Sequence, residues 1–471
     1  MTQLRQQYGD VVRIWAGQSI VLCFNPDLYL QVLRQEWSLP HGAAPETWPL
    51  VQYYQSKTTT TSSSSTMPMM LKQGQEWKTA RQDIQKHLFK QQVADEYQPL
   101  LTAVTDDAIA ALRDMASNGT TTTDLNQFLI HASFEMLAHA LLKRRMGLID
   151  NTSGLAEREF VQHAVQAFHA LGPLITQPPF FPRWFNMMTS STYRTFDQSM
   201  DKVWDIGMEF LQQAEKDDTQ SWKGSMFAKL TQDGTMERQE RLVNLVTLLQ
   251  AGVDTTSNTL EWIIYQLAKH PEQQERVRKE LQQVMPPDST GFRRELLSQM
   301  PYFKAFLREV QRVTPTASGN IRRIPYPVEI GPYQLEKNSM IFWEGWPYGQ
   351  DAALLGDDPT VFAPERWLVG LPKDAPSRQP VAAASSADGT PPPSPAPILS
   401  HPLLTTPFGV GPRMCVGARL AQNEIHTFIS AVVLNFELSL DPPDQGVRSQ
   451  AMLVNTPQPS PRIRIEPVPK S

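Results

Sequence analysis

Cys415 stands in the run Phe408-Gly409-Val410-Gly411-Pro412-Arg413-Met414-Cys415-Val416-Gly417, and the only other cysteine of the chain is Cys23. Glycines on both sides let the backbone take φ > 0 and come close to a flat ligand. Arg413 can neutralise an anionic group on that ligand. A lone thiolate offered in this way is the proximal ligand a haem iron needs if it is to cleave an O–O bond. Free cysteines are otherwise mostly inert core residues, so the assignment depends on what else the chain supplies.

Three further groups of residues have chemistry-bearing spacing. Ala251-Gly252-Val253-Asp254-Thr255-Thr256 lies within a helix that periodicity extends from about Arg238 to His270, closed by Pro271. A mid-helix glycine costs about 1 kcal/mol against alanine, and Asp and Thr are poor helix formers. Helix stability therefore does not explain that hexad. Glu309 and Arg312 are i,i+3 neighbours in Phe306-Leu307-Arg308-Glu309-Val310-Gln311-Arg312, a pair worth only about 0.5 kcal/mol if it is exposed. Trp77 and Arg81 share an early helix face, and Arg322 follows Pro315 by seven residues.

Together these residues resemble the cytochrome P450 superfamily. The pattern F-x-x-G-x-R-x-C-x-G, A-G-x-D-T-T, and an E-x-x-R pair followed by Pro364-Glu365-Arg366-Trp367 all occur in order. The resemblance implies a P450 fold, mainly α with a smaller β-rich portion, and heme b between a long central helix and the cysteine loop. Cys415 would ligate the iron, with Phe408 and Gly417 framing the loop. Gly252 would open a groove over the haem, while Asp254 and Thr255 relay the two protons that O–O heterolysis requires. Trp77, Arg81, Arg322 and Arg413 would hold the propionates, which need cations if they are partly buried; Arg323 is the lesser choice beside Arg322. Glu309, Arg312 and Arg366 would form a buried structural network supporting the cysteine loop.

The likeness is strongest to the mitochondrial branch, which hydroxylates sterols, vitamin D and related lipids. Ser257-Asn258-Thr259-Leu260-Glu261-Trp262, Phe134-Glu135-Met136-Leu137, Lys143-Arg144-Arg145-Met146-Gly147-Leu148 and Met300-Pro301-Tyr302-Phe303-Lys304 carry it. Val310-Gln311 departs from the Thr-Leu usual there. In that branch Lys304 and Arg308 would dock an acidic ferredoxin, as two i,i+4 cations can; a flavoprotein reductase is the alternative donor. A monooxygenase acting on a lipophilic small molecule follows. A haem-thiolate isomerase or dehydratase acting on a lipid peroxide is the enzymatic rival, though it needs no proton relay. A non-catalytic haem-binding carrier is the other alternative.

These groups must be placed by a long chain with no obvious internal division, so 1–471 is read as a single domain. Residues 8–34 are expected to form short strands followed by a helix from Pro26 to Arg34. The Ser/Thr run 58–66 is expected to be a mobile loop. Leu101, Val104, Ala108, Ala111, Leu112 and Met115 share one helix face. So do Phe128, His131, Ala132, Glu135, Met136, His139 and Leu142, after a cap at Asp124 or Asn126. Residues 178–188, rich in proline and aromatics, are expected to be a non-helical apolar lip making peripheral membrane contact. Residues 371–401 have the composition of a disordered insertion. Val253, Ala317 to Asn320 and Val454 to Thr456 are candidate substrate contacts.

A net charge of −5 with pI near 6.0 offers no basic footprint for nucleic acid. Two cysteines make no disulfide framework. No run of about 18 apolar residues encodes a membrane span, and residues 1–10 show neither signal nor transit character. Relatives in eukaryotes usually carry an anchor or presequence there, so the expectation is a truncated, membrane-associated protein. The mitochondrial inner membrane is the favoured location, with the endoplasmic reticulum as alternative.

Overall fold

The computed structural model describes residues 2–15, 19–36, 40–42, 48–60, 67–117, 125–175, 182–216, 222–285, 292–317, 319–351, 355, 358–368, 401–451 and 453–468. Helices dominate, and a mixed four-stranded sheet stands at one side. In that sheet Val11–Trp15 pairs antiparallel with Ser19–Cys23, which runs parallel to Ser339–Glu344, itself antiparallel to Gly319–Ile324. The register sets Ile20 against Met340 and Arg322 against Ile341. Alternation along these short strands buries Val21, Cys23, Ile341 and Trp343 in a small core of their own, with Tyr29 and Val32 from helix Pro26–Gln35. Asn25 starts that helix: its side-chain oxygen accepts from Asp27 N at 3.0 Å and Leu28 N at 3.1 Å, a cap worth about 1 kcal/mol.

The main core surrounds the 32-residue helix Arg238–Lys269, about 48 Å long at 1.5 Å per residue. Pro271 opens the next helix, Pro271–Val284, so the central helix stops at the residue before His270. Apolar side chains on all its faces are what a helix in the middle of a large core requires. Helix Leu125–Leu142 lies along it and is buried on several faces, Leu129, Ser133, Phe134, Leu137 and Leu141 included, so the single face expected from periodicity is too narrow. Asn126 does not cap this helix but lies in its first turn and donates to Glu261 at 2.7 Å; Asp124 is outside the described residues.

Helices Leu155–Ile175 and Ser191–Lys216 pack against each other across one end of the central helix. Between them Arg183–Thr189 is helical, contrary to the expected irregular lip. All the prolines of that segment lie at or before Pro182, which leaves Arg183 onward free to wind. Residues 178–181 are outside the described residues. Helix Pro49–Thr60 likewise carries helical structure into the Ser/Thr run as far as Thr60; 61–66 are not described, nor is the proposed insertion up to Ser400.

On the far side, helix Pro301–Val313 begins with Pro301 in its first turn and takes its N-terminal cap from a neighbour. Glu280 accepts from Tyr302 N at 2.9 Å and Phe303 N at 2.7 Å, satisfying two donors every helix start leaves open. The direction of that helix sets the position of Glu309.

Candidate active site

The cysteine loop is built by its glycines. Gly409 and Gly411 both have φ +72°, and a Cβ on Gly409 would lie 2.5 Å from Asn320 Nδ2, so only glycine fits. Cys415 N donates to Phe408 O at 2.9 Å and Met414 N to Gly411 O at 3.1 Å, which closes the loop on itself. Gly417 then caps helix Ala418–Asn435, placing the thiol at the positive end of a helix. Cys415 has an accessible surface, yet surrounding protein desolvates it enough to push its pKa up, against the Gly417 N–H and the charge of Arg81. Both facts hold at once if the sulfur faces an internal space rather than bulk water.

The arginines expected around a carboxylated ligand converge on this loop. Arg81 Nη1 donates to Met414 O at 2.8 Å. Arg413 lies 4.2 Å over the Trp77 ring and donates to Pro40 O at 3.0 Å and Lys72 O at 2.9 Å. Burial, together with Arg322 and Arg81, lowers the pKa of Arg413 to about 9. Arg322 is bonded to Val410 O and pairs with the buried carboxylate of Glu36. Sequence reasoning missed Glu36, and no spacing signal in the chain points to it. Phe408 and Gly417 are half-buried at the two ends of the loop.

The central helix presents a narrow open stripe. Leu248, Ala251, Gly252, Thr255 and Thr259 are half-buried, while the residues between them are almost all buried; that spacing is one helix face. Thr255 Oγ1 donates to Ala251 O at 3.0 Å and Thr259 Oγ1 to Thr255 O at 2.8 Å. Asp254, beside the stripe, is buried, and its Oδ2 has no hydrogen-bond partner among the described residues. Gly252 has a packing reason of its own, since a Cβ there would lie 2.3 Å from Leu137 Cδ2. Thr316 meets Thr259 at 2.8 Å, and Asn455 accepts from Trp262 Nε1 at 2.9 Å through its carbonyl. These bonds bring the region of two candidate substrate segments to the end of the stripe.

Glu424 ties the two halves together. It is buried, accepts from Thr256 Oγ1 at 3.5 Å and lies within electrostatic range of Cys415. Burial pushes its carboxyl up to about 8, with the Thr256 hydroxyl opposing. A glutamate nine residues after Cys415, in a strongly apolar helix, was the available sequence signal.

The Glu309 network is complete. Arg312 grips Glu309 with Nε–Oε2 at 2.9 Å and Nη2–Oε1 at 2.7 Å, both side chains fully buried. Arg366 Nε and Trp367 Nε1 donate to the same carboxylate at 3.1 and 2.9 Å. Arg312 also donates to Gly349 O and Pro359 O. Lys304 is exposed, but Arg308 is half-buried, 4.0 Å over the Trp367 ring and bonded to Thr405 Oγ1 at 3.2 Å. Trp367 therefore already engages the second of the two expected docking cations.

The family model described as Cytochrome P450 matches residues 1–464. This chain is a cytochrome P450. Like its family it is a monooxygenase that holds haem b through a cysteine thiolate. The residues present fit that group: one accessible thiol at a helix start, flanked by Arg81, Arg413 and Arg322, while Cys23 is buried in the sheet with its pKa raised to about 12. The P450 is similar to the probable mitochondrial cytochrome P450 12b2 of Drosophila melanogaster, 26% identical over 99% of this chain and 83% of that protein. It is also similar to the human mitochondrial sterol 26-hydroxylase, 26% identical over 96% of this chain and 81% of that protein. The human mitochondrial 25-hydroxyvitamin D-1 alpha hydroxylase is 25% identical over 92% of this chain and 80% of that protein.

Proposed function

We propose that this P450 inserts one oxygen atom of O₂ into a C–H bond of a sterol-like or other lipophilic substrate, with electrons from a ferredoxin-type donor. The observation that carries it is the open stripe on an otherwise buried helix: Thr255 lies on it, one residue from the buried Asp254. When bound, the haem supplies O₂ binding and activation. Cys415 is the ligand, and Arg81, Arg322 and Arg413 with Trp77 hold the propionates. Thr255 holds a proton at its hydroxyl, and Asp254 is the carboxylate that replenishes it.

On this reading protons reach the stripe through Asp254 and Thr255, beside the apolar side chains of the main core. Val253, expected as a substrate contact, is instead fully buried in the main core and off the open stripe. Asn320 lies against Gly409 and Asn455 against Thr316, which supports the other two segments as substrate contacts. Chain 1–471 acts as one domain on this reading, which the shared core of its helices supports. The mitochondrial relatives support a ferredoxin donor and a mitochondrial membrane setting. Lys304 is the exposed cation for docking, with Arg308 behind it. Exposed Trp184 and Met188 on helix Arg183–Thr189 support peripheral contact with a lipid surface. No helix among the described residues is long and apolar enough to cross a membrane.

The test is reconstitution. A substrate-induced spectral shift screen against sterols, fatty acids and terpenoids is followed by turnover with ferredoxin or with a flavoprotein reductase. Product from a sterol with ferredoxin supports the reading. Turnover supported only by the reductase contradicts the donor, and spectral shifts confined to non-lipid compounds contradict the substrate class.

A further inference from the structure

Asp254 is buried in the central helix, and one element reaches it from outside. His169, on helix Leu155–Ile175, places Nε2 at 3.6 Å from Asp254 Oδ1. The two side chains differ sharply in exposure: 58% for His169 against 4% for Asp254. His169 also lines a cleft of about 470 Å³ between helices Leu125–Leu142 and Leu155–Ile175. The cleft is bordered by exposed Gln127, Gln162 and Gln166, and so is open to water. One imidazole therefore bridges an aqueous cleft and a buried carboxylate. Resting on the reading that Asp254 and Thr255 handle protons, we propose that His169 is the entry point through which solvent protons reach Asp254.

The step balances without a further reactant. A solvent proton, carried as hydronium into the cleft and leaving water behind, protonates the imidazole. His169 Nε2–H then passes a proton to an Asp254 carboxylate oxygen, returning the imidazole to its neutral form, and Asp254 gives the proton up toward Thr255. Asp254 Oδ2, without a hydrogen-bond partner among the described residues, leaves one oxygen free to turn while the other faces His169. Histidine is the side chain whose unperturbed titration lies nearest neutrality, which suits a group that must load and unload protons at working pH.

The other charged groups nearby are engaged elsewhere. On helix Ser191–Lys216, Asp197 pairs with Arg183 and Asp201 with Lys57. Arg158, at the rim of the cleft, donates to Ser153 O at 2.9 Å. Glu261, further along the central helix, accepts from Asn126 and Ser460. His131 in the cleft is held toward its neutral form by burial. Asp254 is thus the charge that acts on His169, and it raises the imidazole pKa against the opposing cost of burial.

His169 acts through Asp254, so it is a positioning residue, and the test includes a readout that a structural role would not move. In the ferrous CO-bound holoenzyme, NMR titration of the His169 imidazole is expected to give a pKa above that of a free histidine, returning to the ordinary value in Asp254→Asn. Turnover of His169→Gln, Asp254→Asn and Thr255→Ala is compared across pH, dividing electrons consumed between product and hydrogen peroxide. His169→Gln is expected to retain its haem and to slow the proton-limited step by roughly tenfold, releasing more peroxide and losing the pH inflection set by His169. If Asp254→Asn and Thr255→Ala release peroxide but His169→Gln matches the wild type, the entry role is overturned and the Asp254–Thr255 reading stands. If none of the three changes the partition, both fall. An unshifted His169 pKa in the wild type also overturns the proposal.

Discussion

Glu309 and Arg312 form a fully buried bidentate pair, and Arg366 and Trp367 close on the same carboxylate. The pair also bonds to the backbone: Arg312 donates to Gly349 O and Pro359 O, and Glu309 accepts from Ala363 N. The pair therefore fastens two chain segments to helix Pro301–Val313, one at Gly349 and one at 358–368, the second preceding the cysteine loop in the chain.

Removing one partner leaves the other charge buried and unpaired. Glu309→Ala or Arg312→Ala is expected to cost about 3–5 kcal/mol, enough to prevent recovery of haem-loaded protein. Lys304→Ala, at an exposed site on the same helix, is expected to leave haem recovery unchanged. Haem content per mole of purified protein checks both.

Gly252 is expected to reject a side chain because of Leu137. Gly252→Ala should lower thermal stability by about 1–3 kcal/mol through overpacking, and Leu137→Ala combined with it should regain part of the loss. A double-mutant cycle by denaturant unfolding measures the coupling. Strictly additive losses would show that Leu137 is not the obstacle.

Two kinds of titratable group should make stability depend on pH in opposite directions, in windows that overlap below neutrality. Glu424 titrates in the fold at about 8, above an ordinary carboxyl. Its contribution is present at low pH and is lost as pH rises from the ordinary carboxyl range through about 8. His426, between Phe292 and Phe303, and His270, stacked on Phe362, are lowered to about 4. Their contribution is full above the ordinary histidine range and is lost as pH falls toward about 4. Each group changes the unfolding equilibrium by up to about tenfold per pH unit in its window. Glu424→Gln should remove the fall in stability from the ordinary carboxyl range up to about pH 8, leaving the loss at low pH from the histidines, as read by unfolding midpoints across pH.

Thr255→Ala is expected to keep haem and its thiolate spectrum while diverting most of the electrons consumed to hydrogen peroxide. Among the described residues its hydroxyl bonds within its own helix turn, to Ala251 O, so its loss leaves no distant partner there unsatisfied. Peroxide released per NADPH consumed, beside product formed, measures the diversion.

What could be read from the sequence follows from what spacing encodes. The cysteine loop, the hexad at 251–256 and the E-x-x-R pair are local patterns, and each lies on the element expected for it. Helix Arg238–Lys269 was bounded to within a residue, because Pro271 stops it chemically. Glu36, Glu280 and Glu424 went unseen because their partners Arg322, Tyr302 and Thr256 lie 22 or more residues away. A lone acid carries no sign of burial. His169 was hidden for the same reason, with Asp254 on another helix. Residues 183–189 are helical despite their Pro-rich approach, because proline constrains its own position and the residue before it rather than the chain that follows.

The central claim is that Cys415 supplies the thiolate to the haem, and the carbon monoxide difference spectrum of the reduced protein tests it most directly. The wild type and Cys23→Ala should both show the long-wavelength Soret band of thiolate-ligated haem, since Cys23 is buried in the sheet, donating to Asn25 O. Cys415→Ala should lack that band entirely. A Cys415→Ala protein that keeps the band would contradict the account.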